Sequence, residues 1–145
     1  MPVEFLHDLV LRQKKGEARG IPSICSDNPT VLYAAFHFAA QRGMPILVEA
    51  SCSQVNQFGG YTGLRPADFA AFLEGIRSEA GLPPDRLLLG ADHLGPFPWR
   101  GEPAEQAMQK ARALAGDCVR AGYLKLHLDA SMPLAGDALD PRGGL

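Results

Sequence analysis

The chain has only three cysteines in 145 residues, Cys25, Cys52 and Cys118, and they lie far apart. An odd, scattered set builds no disulfide framework and lacks the close pairs of a structural zinc site. Such usage points to a reducing, cytoplasmic compartment. The chain has no uninterrupted apolar run of about 18 residues, so no membrane span is expected. Glu4, His7 and Asp8 interrupt the N-terminal apolar residues, which leaves no secretion-signal core. Charge of one sign is also lacking: 14 Lys and Arg face 16 Asp and Glu, for a net charge of -2. Nucleic acid is therefore not an expected partner, since it needs concentrated Lys/Arg surface. The one basic run, Arg12-Gln13-Lys14-Lys15, reads as a solvated helix face. Neither a GxGxxG nor a Walker A pattern occurs, which argues against nucleotide binding through a glycine-rich turn.

Glycine and proline, in contrast, are plentiful, and they fall between periodic segments as punctuation. Phe5, Leu6, Leu9 and Val10 have helical spacing, ended by Gly16 and Gly20. Residues 21–25 read as a short buried strand. Ser26-Asp27-Asn28-Pro29 starts a helix by capping and by proline in the first turn. Its apolar face is Val31, Leu32, Ala35 and Ala39, and Gly43 ends it. Residues 45–49 are a second strand, followed by a long polar loop over 51–63. Pro66 opens a helix with Phe69, Phe72, Leu73 and Ile76 in one stripe. Residues 87–90 form a third strand. A helix from Pro103 carries Ala107, Ala111, Leu114 and Cys118 at a 3.6 period. Residues 124–128 form a fourth strand.

This α-βα-βα-βα-β order implies parallel strands with right-handed crossovers, an α/β protein. Two architectures compete, a doubly wound sheet and a (β/α)8 barrel. The fourth strand favours the barrel: Leu126 and Leu128 share one face, and Lys125, His127 and Asp129 share the other. A barrel strand can turn such a polar face inward, whereas a central doubly wound strand is apolar on both faces. The expected fold is a TIM-barrel type, here a partial barrel with about four parallel strands. Residues 1–145 read as the N-terminal part of one truncated domain, because a barrel takes about 250 residues. Two open strand edges should make it dimerise, aggregate or depend on a partner.

The strand ends carry the chemistry. Asp92-His93 closes an apolar run just before Gly95-Pro96, where a barrel enzyme keeps metal or acid-base groups. Adjacent residues on an extended strand point to opposite sides, so a tight turn at Gly95-Pro96 is expected to bring both to the mouth. His127 and Asp129, on the next strand, should lie near them. Each imidazole is open to a structural reading, and Asp129 either meets a substrate hydroxyl or caps the turn at Ser131. Glu49 ends an apolar Ile-Leu-Val run and is costly there unless paired or solvated. Gln54, Asn56 and Gln57 either bind sugar hydroxyls or satisfy their own loop. Lys125 either neutralises a phosphate or pairs internally with Glu49 or Asp129, with the internal pair preferred. Cys25 and Cys118 read as structural, as do His7 and His37. Phe97-Pro98-Trp99 is a hydrophobic lid or a loop anchor.

Glu49-Ala50-Ser51 with Gln54-Val55-Asn56-Gln57-Phe58-Gly59-Gly60-Tyr61-Thr62-Gly63 is similar to a signature of the non-catalytic subunit family of class II D-tagatose-1,6-bisphosphate aldolase. Gly90-Ala91-Asp92-His93-Leu94-Gly95-Pro96 and Lys125-Leu126-His127-Leu128-Asp129-Ala130-Ser131-Met132 resemble further segments of that family, in the same order. The resemblance runs from about residue 9 to 137 and covers the first third of a family member. It implies a metal-dependent class II aldolase barrel. Asp92 would then match the proton-transfer acid, and His93 would match a ligand of a divalent metal, with zinc expected. The remaining ligands and the phosphate loops would come from later strands. Glu49, Gln54, Asn56 and Asp129 would face the sugar, and His127 and Lys125 would stand behind the site. The implied function is support of a catalytic aldolase subunit that cleaves a phosphorylated ketose to glycerone phosphate and glyceraldehyde 3-phosphate, in galactitol, tagatose or N-acetylgalactosamine catabolism. The alternatives are a metal-dependent ketohexose or uronate epimerase and a purely structural partner. The isolated 145-residue chain is expected to show little catalysis.

Overall fold

A computed structural model describes residues 2–137; most of the terminal stretch read as a loop, 137–145, lies outside the described residues. Helix α1 (Pro2–Lys14) comes first, followed by β1 (Ser23–Cys25), α2 (Pro29–Arg42), β2 (Ile46–Ser51), α3 (Pro66–Glu79), β3 (Leu87–Leu94), α4 (Ala104–Arg120) and β4 (Lys125–Leu128). The four strands are parallel and lie in the order β1-β2-β3-β4. This sequential order decides between the two architectures. A doubly wound sheet reverses its strand order at a switch point, whereas a barrel adds each strand on the same side of the last. The fold is α/β of the TIM-barrel type, a partial barrel of four strands.

Local chemistry sets the boundaries. The Asn28 side chain accepts hydrogen bonds from the Thr30 and Val31 amides, at 2.9 and 3.2 Å, and Pro29 fits the first helical turn. Gly43 closes α2 in the left-handed region, at φ 60°. The main core lies between the sheet and the helices. Leu32 and Phe36 of α2, Phe69 and Leu73 of α3, and Leu114 of α4 are fully buried there with Val48 of β2. Each such side chain contributes about 1.5–3 kcal/mol of burial. Leu126 packs at the edge of this core, but Leu128, expected to share its face and its burial, is 70% exposed. It lies past the register shift between Ala91 and Leu94 of β3, on the last strand of the described sheet.

The other face of the sheet is ordered in rows by the register. Leu47 and Leu88 are paired neighbours and are buried outside the main core. Above them runs the row Cys25, Glu49, Gly90, Lys125, since Cys25 pairs with Glu49, Glu49 with Gly90, and Gly90 with Lys125. Ser51 and Asp92 form the next row. Period-two alternation puts all these side chains on one side, toward the barrel interior.

In the 51–63 segment, expected to be a long polar loop, the amides of Gln54 and Asn56 satisfy the loop's own backbone, the second of the two readings left open by the sequence. Cys52, Gln54, Val55 and Asn56 are buried in it. Gly60 makes the packing possible: φ is +56°, and a Cβ there would lie 2.2 Å from the Gln54 carbonyl oxygen.

Candidate functional site

Strand β3 does not stop at Gly90 but runs on through Asp92 and His93 to Leu94. Between Ala91 and Leu94 the pairing with β4 slips, and His93 takes a positive φ of 48°. A bulge re-aims side chains in this way, and histidine is one of the few non-glycine residues enriched in that region. The bulge, rather than a turn at Gly95-Pro96, brings the two side chains together: His93 Nδ1 lies 3.0 Å from Asp92 Oδ2. The Cys52 thiol donates to the His93 carbonyl oxygen at 2.9 Å, and the Asp129 amide donates to the Leu94 carbonyl at 3.0 Å. Gly95 allows the second contact, because a Cβ there would sit 1.7 Å from the Asp129 carbonyl oxygen.

His127 comes to the same carboxylate from β4, its Nδ1 2.7 Å from Asp92 Oδ1. The two imidazole rings are 5.2 Å apart, centre to centre, and both are exposed. Lys125 Nζ lies 3.3 Å from the same Oδ1 and also pairs with Glu49. The other Glu49 oxygen accepts from the Ser23 hydroxyl. Glu49 is buried, and these two partners answer its desolvation. Burial pushes the Asp92 pKa up, but the hydrogen bonds from His127 and Lys125 and the charges of Lys125 and His93 outweigh it and hold the carboxyl below the usual aspartate value. Burial likewise pulls the Lys125 ammonium down, and Glu49 and Asp92 outweigh it, so the net shift is upward.

Of the residues singled out from the sequence, Glu49, Asp92, His93, Lys125 and His127 therefore form one contiguous cluster over β2, β3 and β4. Lys125 takes the internal pair, with Glu49 rather than Asp129. Asp129 stands beside the cluster, where one carboxylate oxygen accepts from the Ser131 amide at 2.9 Å. Hydrogen bonding by Ser131 comes first among the causes that lower its pKa. Gln54 and Asn56 are turned into their loop. Gln54 Oε1 accepts from the Ser51 amide and hydroxyl and from the Cys25 thiol. The Asn56 side chain donates to the Cys52 carbonyl and accepts from the Phe58 and Gly60 amides. Trp99 anchors its segment, edge-on to Phe58 and nearly buried, while Phe97 stays partly exposed.

Three contributors were not read from the sequence: Ser23, Cys52 and Gly90. Ser23 carries a signal, since it sits two residues before Cys25 on a strand whose Ile24 turns to the helices. Gly90 carries none without the register that sets it between Glu49 and Lys125.

The donor atoms of Asp92, His93 and His127 all lie within 4.8 Å of one another. Two imidazoles and a carboxylate are a donor set that suits a divalent transition metal, so the residues present fit such an ion.

Comparison with known proteins identifies the family. Residues 6–142 match the family profile described as D-tagatose-1,6-bisphosphate aldolase subunit GatZ/KbaZ-like. The D-tagatose-1,6-bisphosphate aldolase subunit GatZ of Salmonella gallinarum is 50% identical over 138 residues, 94% of this chain and 33% of that protein. The D-tagatose 6-phosphate 4-epimerase of Agrobacterium fabrum is also 50% identical over 138 residues, 94% of this chain and 32% of its own length. The crystal structure of a probable tagatose 6 phosphate kinase from Sinorhizobium meliloti 1021 superposes with a TM-score of 0.79 at 51% identity, covering 82% of this chain and 31% of that one. The chain thus spans about a third of the length of the relatives it matches. It belongs to the D-tagatose-1,6-bisphosphate aldolase subunit GatZ/KbaZ-like family.

Proposed function

We propose that the chain belongs to a subunit of D-tagatose-1,6-bisphosphate aldolase. In this reading it works with a catalytic subunit in cleaving the ketose bisphosphate to glycerone phosphate and glyceraldehyde 3-phosphate, and it carries a metal-dependent site of its own. The observation that supports this most directly is the bulged Asp92-His93 pair, which joins His127 at the interior-facing strand ends within a chain of this family. His93 and His127 would hold a divalent metal, with zinc the expected ion and Asp92 beside them. A bound dication would supply Lewis-acid polarisation of the ketose carbonyl. Asp92 either exchanges a proton with a sugar hydroxyl or orients the imidazoles that flank it. Lys125 balances its charge, and Asp129, held by the Ser131 turn, accepts from a substrate hydroxyl.

Cleavage of D-tagatose 1,6-bisphosphate by the catalytic subunit, with and without this protein, tests the reading. Wild-type protein should raise the rate and contain metal, and His93→Ala should lose both. Equal stimulation by wild type and His93→Ala would leave a purely structural partner. A second reading is favoured by one finding: a relative named as a D-tagatose 6-phosphate 4-epimerase matches this chain as closely as the GatZ subunits do. In that reading the same cluster would take the proton of the C4 hydroxyl as the C3–C4 bond breaks to an enediolate and an aldehyde, and return it when the bond re-forms on the aldehyde's other face. Incubation with D-tagatose 6-phosphate and manganese or zinc, followed by sugar analysis, separates the two.

A further inference from the structure

Among the described residues, His93 alone combines a side chain with a positive φ, at 48°. A residue keeps that conformation where its surroundings over-determine it. The sheet does not supply the constraint. The register of β2 with β3 ends at Ser51 and Asp92, and that of β3 with β4 passes from Ala91 to Leu94, so His93 has a paired residue on neither side. What reaches its peptide is the Cys52 thiol, which donates to the His93 carbonyl oxygen at 2.9 Å from 41 positions earlier in the chain.

The thiol is itself held in place. Cys52 is 2% exposed and stands directly after β2. Asn56 Nδ2 donates to the Cys52 carbonyl at 2.9 Å. On the other side of Cys52, the Ser51 amide and hydroxyl both donate to Gln54 Oε1, at 2.9 and 3.0 Å. The two buried amides of the loop thus fix the backbone that carries the sulfur. A buried cysteine keeps its proton and is a donor. Free cysteines commonly serve as small apolar fillers. A filler needs no direction, whereas this sulfur is aimed at the peptide of the one residue that the strand ladder leaves unpaired and in the left-handed region.

We propose that Cys52 is the positioning residue for His93: its thiol fixes the His93 peptide in the conformation that turns the imidazole toward Asp92 and His127. It acts through the peptide and supplies no ligand of its own. The loop after β2 thereby enters the site through a backbone contact rather than through its polar side chains. The consequence for metal affinity rests on the proposed metal site, while the hold on the His93 backbone is a property of the chain by itself.

Three substitutions in the full chain separate the donor from the volume. Cys52→Ser keeps a donor, Cys52→Val fills the space without one, and Cys52→Ala has neither. In metal-free protein the Cα and carbonyl carbon chemical shifts of His93 report its backbone conformation. They should stay near wild type in Cys52→Ser and move toward extended-strand values in Cys52→Val and Cys52→Ala. Cobalt(II), titrated and followed by visible absorption, should bind wild type and Cys52→Ser alike. It should bind the other two about 10- to 100-fold more weakly, the usual loss when a group that orients a ligand is removed. His93→Ala gives the background from other donors. Wild-type His93 shifts in Cys52→Val or Cys52→Ala would overturn the assignment, because the bulge would then hold without the donor. Equal displacement in Cys52→Ser and Cys52→Ala would overturn it too. Cobalt that binds wild type no tighter than His93→Ala would end the metal reading, while shifts that follow the donor would still support the role of Cys52, so the two fail separately.

Discussion

Glu49 and Lys125 reach each other across Gly90, from strands that are not neighbours in the sheet. The contact exists because the middle strand has no side chain at that point. A Cβ on Gly90 would lie 3.0 Å from Glu49 Cγ and 3.1 Å from Leu47 Cδ1, so both side chains would have to give way by a few tenths of an ångström. Gly90→Ala should therefore cost about 1–3 kcal/mol, the usual range for overpacking. Urea unfolding of wild type and variant measures the difference, and an unchanged midpoint would show that Glu49 moves aside freely.

Lys125→Met should be more damaging than its partial exposure implies, because it leaves the buried Glu49 charge without its cation. Breaking a fully buried pair costs about 3–5 kcal/mol; with Lys125 about a third exposed, solvent screening brings the expectation to about 1–3 kcal/mol. The double variant Glu49→Gln/Lys125→Met should recover most of that loss. A double variant no more stable than Lys125→Met alone would mean that the pair is not what Lys125 contributes.

Stability should have a plateau bounded by two groups of this cluster. The folded Asp92 pKa lies below its ordinary 3.8, so its contribution is present above that value and is lost as pH falls through the folded value. The folded Lys125 pKa lies above its ordinary 10.5, so its contribution is full below that value and is lost as pH rises through the folded one. Urea midpoints across the pH range should fall at both ends, and Asp92→Asn should flatten the acid limb. An acid limb unchanged in Asp92→Asn would assign it to other carboxylates.

The three thiols should label in a fixed order. Cys25 is the exposed one. Its pKa is nonetheless raised, by burial and by the charges of Asp92 and Glu49, so it should react more slowly than a free cysteine at pH 8. Burial pushes the Cys118 thiol up to about 12 and raises Cys52 as well, and both should label only on unfolding. Mass spectrometry after timed iodoacetamide treatment reads the order. Rapid labelling of Cys52 would mean that the loop after β2 opens.

Much of the fold was legible because its signals are local. Asn28-Pro29 and Gly43 mark α2 without any tertiary information, and the 3.6 period of α4 names its buried face. The polar side of β4 was enough to choose a barrel over a doubly wound sheet. What stayed hidden depends on pairs of distant residues. The amides of Gln54 and Asn56 leave two readings open in the sequence, sugar contact or the loop's own backbone, and only the folded loop shows both spent inside it. The bulge at Asp92-His93 cannot be seen in β3 alone, since a bulge is a mismatch between two strands. Leu128 reads as a core residue because its neighbour Leu126 is one, and only the register of β3 with β4 shows the shift between them.

The bulge also has a consequence for how the site comes into being during synthesis. Asp92 and His93 belong to β3, but both of their partners in the cluster, Lys125 and His127, are supplied by β4, after the whole of α4. A nascent chain that has emerged only as far as α4 carries half of the imidazole pair and none of the cation that balances Asp92. Pairing strands so distant in sequence is slow compared with forming the helix between them. The cluster is thus among the last local features to assemble, after every element through α4 has left the ribosome.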